Sequence, residues 1–163
     1  MTAIGGGRHA DCRVFVPAQS IRPGAVVDQA RFASLRILCV DDNHDVAESL
    51  ALILRLLGCS AEAVFDGPSA LKTAMTFVPH ACVSDINMPG MSGLELAVQL
   101  RRWAGTRPLL LIAVTARSTE EDHRLSIEAG FDLHFNKPAD PVEIVRSVMT
   151  FGERLHMREV LLN

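Results

Sequence analysis

The chain has 163 residues, 48% hydrophobic and 21% charged, with a formal net charge of -3. That length suits one domain, the apolar share excludes wholesale disorder, and the acidic balance argues against a basic nucleic-acid-binding face. Four cysteines without a C-x-x-C pair make no disulfide scaffold, and the apolar runs fall far short of the roughly 18 residues of a membrane helix.

Residues 1–34 carry Arg8, Arg13, Arg22 and Arg31 against Asp11 and Asp28. Gly5-Gly6-Gly7, Pro17 and Pro23-Gly24 interrupt every periodicity, so this stretch is expected to be a flexible extension, with Arg13–Val16 a stray short strand at most. It has neither the apolar core of a secretory signal nor the continuity of an amphipathic targeting helix. From Leu35 the pattern changes. Leu35–Val40 reads as a buried strand, and Val46–Leu57 as a helix stopped by Gly58. Ala61–Phe65 is a second strand before an Asp66-Gly67 turn. Pro68 opens a helix with Ala70, Leu71, Ala74, Met75 and Val78 on one face.

Ala81–Ser84 is a third strand, and Leu94–Trp103 a third helix with Trp103 packed on its face. Leu109–Val114 is a fourth strand, and Thr119–Ala129 a more polar helix ending at Gly130. Leu133–Phe135 is a short fifth strand. Pro141 to about Leu155 is the last helix, so residues 154–163 form a tail or a helix extension. Strict strand–helix alternation implies parallel strands with helices on both faces, an open, doubly wound α/β fold. Cys39, Cys59 and Cys82 lie in or beside apolar strands and read as buried thiols of a reducing compartment.

In such a sheet, ligands sit beyond the carboxyl ends of the strands. Strand one ends in Asp41-Asp42, strand three in Asp85, strand four in Thr115, and strand five near Lys137. Taken singly, these residues have ordinary readings: Asp41 or Thr115 as a helix cap, Asp85 as a turn former, Lys137 as a surface charge. Together they bring three carboxylates, a hydroxyl and an ammonium to one edge. Three adjacent carboxylates repel unless a cation joins them, and a hard divalent ion such as Mg²⁺ suits oxygen ligands. One carboxylate can then attack phosphorus, while the metal and the lysine stabilise the transferring phosphoryl group.

The stretches Ile37–Asn43, Asp85–Gly93, Ala113-Val-Thr-Ala116 and Asn136-Lys-Pro138 resemble the receiver domain of two-component response regulators, over about residues 35–153. The resemblance implies a flavodoxin-like (βα)5 fold with strand order 2-1-3-4-5. It implies Asp85 as phosphoacceptor, and Mg²⁺ or Mn²⁺ held by Asp42, by Asp85, by Asp41 through water and by the backbone carbonyl of Asn87. Thr115 and Lys137 would engage the aspartyl phosphate. Thr115 and the residue three before Lys137 would form a switch. That residue, usually Tyr or Phe in the family, is His134 here, which adds a pH term to the switch. Asn87 and Arg117 stand where the family tunes dephosphorylation, and Arg117 could cover the phosphoryl group.

The implied phosphodonor is a histidine kinase or a histidine phosphotransfer protein in the cytoplasm. The implied response is a changed protein contact through the helix 4–strand 5–helix 5 face, by a monomer or a phosphorylation-dependent dimer. The short remainder after the last helix predicts a stand-alone receiver with no DNA-binding module. A phosphate shuttle or sink, like the receiver of a hybrid histidine kinase, is the alternative. A small-phosphoester hydrolase is disfavoured by Asn87, where such enzymes carry a second acid. His44 is not placed as a phosphodonor.

Overall fold

The structure is a computed structural model that describes residues 32–116 and 119–162. The arm through residue 31, including Cys12 and Arg13–Val16, lies outside the described residues, as does Arg117. The described chain alternates β1 (Arg36–Val40), α1 (His44–Leu56), β2 (Ser60–Val64), α2 (Gly67–Phe77) and β3 (Ala81–Asp85). It continues through α3 (Gly93–Ala104), β4 (Leu110–Thr115), α4 (Glu120–Ala129), β5 (Leu133–Asn136) and α5 (Pro141–Leu162). All strand pairs are parallel, in the order β2-β1-β3-β4-β5, which is the topology the resemblance implied.

The helix starts follow side-chain chemistry. The first helix begins at His44, two residues before the apolar pattern suggested, because the Asn43 side chain accepts from the amides of Asp45 and Val46. Asp66 caps α2 with Pro68 in its first turn. Ser92 with Glu95, and Thr119 with Asp122, close reciprocal capping boxes on α3 and α4. The α4 helix stops at Gly130, whose φ of 107° is open to glycine.

Strand alternation builds two cores. Leu38, Val40, Cys82 and Leu111 meet Ala70, Ala74, Leu96 and Leu100 of α2 and α3, with Trp103 packed at the margin. Ile37, Cys39, Val83 and Ile112 meet Ala51 and Leu54 of α1 and Ile144 and Val148 of α5. Cys39, Cys59 and Cys82 are buried free thiols, and loss of hydration pushes Cys39 up to about 12 and Cys59 to about 11.

Three expectations need correction. Met75 is 67% exposed, because the step from Ala74 turns about 100° around the helix and carries it off the seam of Ala70 and Ala74. Phe32, assigned to the flexible extension, is buried in the second core with Leu35, so the packed body starts earlier than Leu35. The last helix runs to Leu162, well past the expected end near Leu155, so the stretch from 154 is a helix extension rather than a tail.

Candidate functional site

Parallel order puts the carboxyl ends of β1, β3, β4 and β5 along one rim. Asp41 follows β1, Asp85 closes β3, Thr115 closes β4, and Lys137 follows β5. Asp41, Asp85 and Thr115 are buried, while Asp42 is exposed. Carboxylate oxygens of Asp41, Asp42 and Asp85 all lie within 4.8 Å of one another. The Lys137 ammonium donates to Asp41 Oδ2 at 2.9 Å and to Asp85 Oδ2 at 2.8 Å. Burial pulls the Lys137 pKa down, but hydrogen bonds and charge attraction from Asp85 and Asp41 outweigh it and hold the group above its ordinary value.

The other carboxylate oxygens are held by backbone. Asn43 N–H donates to Asp41 Oδ1 at 2.9 Å, and Asn87 N–H to Asp85 Oδ1 at 3.0 Å. The backbone N–H of Lys137 donates to the Thr115 carbonyl at 2.8 Å, which ties the lysine's loop to the end of β4. The peptide bond after it, Lys137-Pro138, is cis.

The donor set is all oxygen and carries three negative charges against one ammonium, which fits a hard divalent ion. Asp42, Asp41 and Asp85 are the side chains that could hold it. Asp41 and Asp85 open onto a cleft of about 590 Å³ between α1 and the start of α5, walled by Val46, Leu50 and Pro138.

His134 on β5 is half-buried and turned toward α4. The Ser126 hydroxyl donates to the His123 carbonyl at 2.8 Å and meets His134 Nδ1 at 2.9 Å. The His123 ring lies 5.2 Å from that of His134. His44 stacks on Phe65 with ring centroids 3.7 Å apart.

Two contributions escaped sequence reasoning. The Asn87 side-chain amide donates to Thr115 Oγ1 at 2.9 Å, so this residue links the ends of β3 and β4. Gly93 packs its backbone against the end of β3, where an added Cβ would stand 2.1 Å from the Asp85 carbonyl oxygen. The run Met88-Pro-Gly-Met-Ser-Gly93 marks a turn but holds no sign of how closely α3 approaches β3.

Comparison with known proteins gives a consistent picture. The family model of the response regulator receiver domain matches residues 37–149. The chain is 34% identical over 119 residues to a 14.6 kDa protein of Leptolyngbya boryana, covering 73% of this chain and 91% of that one. It is 38% identical over 122 residues to the transcriptional regulatory protein PrrA of Mycobacterium leprae, covering 75% of this chain and 52% of the relative. Thus it spans about half the length of such regulators. A CheY-like receiver domain protein from Methanospirillum hungatei superposes with a TM-score of 0.69 at 27% identity, covering 77% of this chain and 99% of that one.

Proposed function

The chain belongs to the response regulator receiver domain family of two-component signalling, whose general role is to accept a phosphoryl group, and from that premise we propose that Asp85 is its phosphoacceptor. The observation that carries this reading is the placement of Asp85. Its carboxylate is buried at a strand end, one oxygen is held by Asn87 N–H and the other by Lys137, and two further carboxylates stand beside it. An Asp85 oxygen attacks the phosphorus of a phosphohistidine on a histidine kinase or phosphotransfer protein. A P–O bond forms as the P–N bond breaks, and the imidazole nitrogen keeps the electron pair.

Asp41, Asp42, Asp85 and the Asn87 carbonyl would hold Mg²⁺ or Mn²⁺. When bound, that ion supplies positive charge against the phosphoryl oxygens. Lys137 exchanges its carboxylate contact for the phosphoryl group, and Thr115 donates to a phosphoryl oxygen. Arg117 and Asn87 would set how fast water removes the group. We assign the domain at residues 35–153 on the same grounds, with Phe32 as an added packing residue. Autophosphorylation and dephosphorylation would be the only chemistry it performs.

The test uses intact-mass measurement of the full chain with acetyl phosphate and Mg²⁺. The native chain is expected to gain the mass of one phosphoryl group, and Asp85→Ala or chelation is expected to abolish the gain. A gain that persists in Asp85→Ala overturns the assignment.

The response would pass in the cytoplasm to a protein partner at the α4–β5–α5 face, with His134 as the moving element. The Ser126 hydroxyl contact and the neighbouring His123 ring support this role. His134→Tyr deletes the Ser126 contact. It is expected to change fluoroberyllate-induced hydrogen-exchange protection across α4 and β5 by about threefold or more, which corresponds to a shift near 0.6 kcal/mol. Identical protection in both proteins would remove His134 from the switch.

A further inference from the structure

Helix α4 is held unevenly along its length. Its 10 residues span about 15 Å. It starts downstream of Thr115, on the side of the acidic rim, and ends at the opposite end of the sheet, where β4 and β5 begin. Its buried residues are Ser126 and Ala129, both in the second half. Thr119–Leu125 is exposed apart from Asp122, which is half-buried. The capping box of Thr119 and Asp122 stabilises that start from within the helix.

The far end is gripped by one side chain. Arg101, in the last turn of α3, spreads its guanidinium over three acceptors. Nε donates to the Gly130 carbonyl at 2.8 Å, Nη1 to the Leu109 carbonyl just before β4, and Nη2 to Asp132 Oδ2. Asp132 is itself tied to β4. Its Oδ2 accepts from Leu111 N–H, and its own N–H donates to the Leu111 carbonyl, both at 2.8 Å. Between Gly130 and Asp132, the Phe131 ring is buried in the first core. A planar fork of N–H donors reaches acceptors spread in this way, whereas a lysine ammonium is a single point.

Gly130 makes the contact possible. A Cβ there would stand 2.8 Å from Arg101 Cγ. The turn that ends α4 therefore also seats the arginine. A rod fixed at one end moves most at the other.

We propose that Arg101 pins the C-terminal end of α4, so that the helix answers events at the rim as a lever whose motion is confined to Thr119–Leu125. This deepens the phosphoacceptor reading and rests on it, because phosphoryl acceptance at Asp85 is the driving event. Arg101 is a positioning residue: it acts through Gly130 and Asp132, at the other end of the helix from the rim.

Hydrogen exchange resolved to single amides, on the full chain, tests both parts. Without ligand, Arg101→Met is expected to speed exchange at Gly130, Phe131 and Asp132 by about tenfold or more, the effect of a lost charged hydrogen bond. Amides of β1 and β3 are expected to change by less than about threefold. Asp132→Asn keeps the side-chain shape and loses the ion pair, so it is expected to move the same amides in the same direction by a smaller factor. With fluoroberyllate and Mg²⁺, protection in the native chain is expected to change at least about threefold more at His123 and Arg124 than at Gly130 and Phe131, and Arg101→Met to lose that contrast. Equal acceleration at Gly130 and in β3 would reduce Arg101 to general stability and overturns the proposal. Unaltered exchange at Gly130, Phe131 and Asp132 in both variants overturns it too, as does a native response as large at Gly130 as at His123. A native chain that responds to fluoroberyllate nowhere counts against the phosphoacceptor reading, and the ligand-free comparison then still decides the pin.

Discussion

Gly93→Ala is expected to destabilise the domain by about 3 kcal/mol or more, the upper end for overpacking, and to lower the melting temperature by about 10 °C. The new methyl group would sit 2.1 Å from the Asp85 carbonyl oxygen and 2.8 Å from Ile86 Cα. Both obstacles are backbone, so no rotamer change relieves them. Either the start of α3 retreats, which breaks the 2.9 Å bond from Gly93 N–H to the Ile86 carbonyl, or the end of β3 shifts. The second route displaces Asp85, so phosphoryl uptake from acetyl phosphate should also fall at temperatures where the variant is folded. Gly90→Ala is the control: its φ is 76° but a Cβ there meets nothing within 4 Å, so only the conformational cost of about 1 kcal/mol remains. Thermal denaturation of the two variants side by side decides the matter. A Gly93→Ala melting point no lower than that of Gly90→Ala would refute the close-approach argument.

Lys137→Met is expected to cost about 3 kcal/mol in the absence of divalent cations. Removing one partner of a buried pair strands the other, and here two buried carboxylates, Asp41 and Asp85, lose their common donor. The figure is at the low end because the lysine side chain is 29% exposed and water can reach it. The same variant makes a second, opposite prediction. On the proposed reading, ammonium and divalent cation share the Asp41 and Asp85 carboxylates, so without the ammonium the acid cluster should bind Mg²⁺ more tightly. Adding Mg²⁺ should therefore raise the melting temperature of Lys137→Met more than that of the native chain. Equal increments would mean that lysine and metal do not compete.

The gathering of the candidate residues at one rim was legible because each ends an apolar run, and parallel topology turns strand ends into a common edge. Asp41, Asp42, Asp85, Thr115 and Lys137 needed only that rule. Features that depend on tertiary distance were not legible. Gly93 reads as one more turn glycine until α3 is known to touch β3. The Asn87 amide reaches Thr115 only because β3 and β4 are neighbours. Met75 has the hydrophobicity of a core residue, but its angular position on α2 leaves it in solvent.

The bonds that Lys137 makes span 96 positions to Asp41 and 52 to Asp85. Contacts of such sequence separation bear more loop-closure entropy than local ones. Its strand, β5, is an edge of the sheet and pairs only with β4. A partly folded chain can therefore assemble β1 and β3 with their acids side by side before any ammonium arrives to neutralise them. On the proposed reading, Asp85 therefore gains its ammonium partner only when β5 has docked, and phosphoryl acceptance reports on the completed sheet.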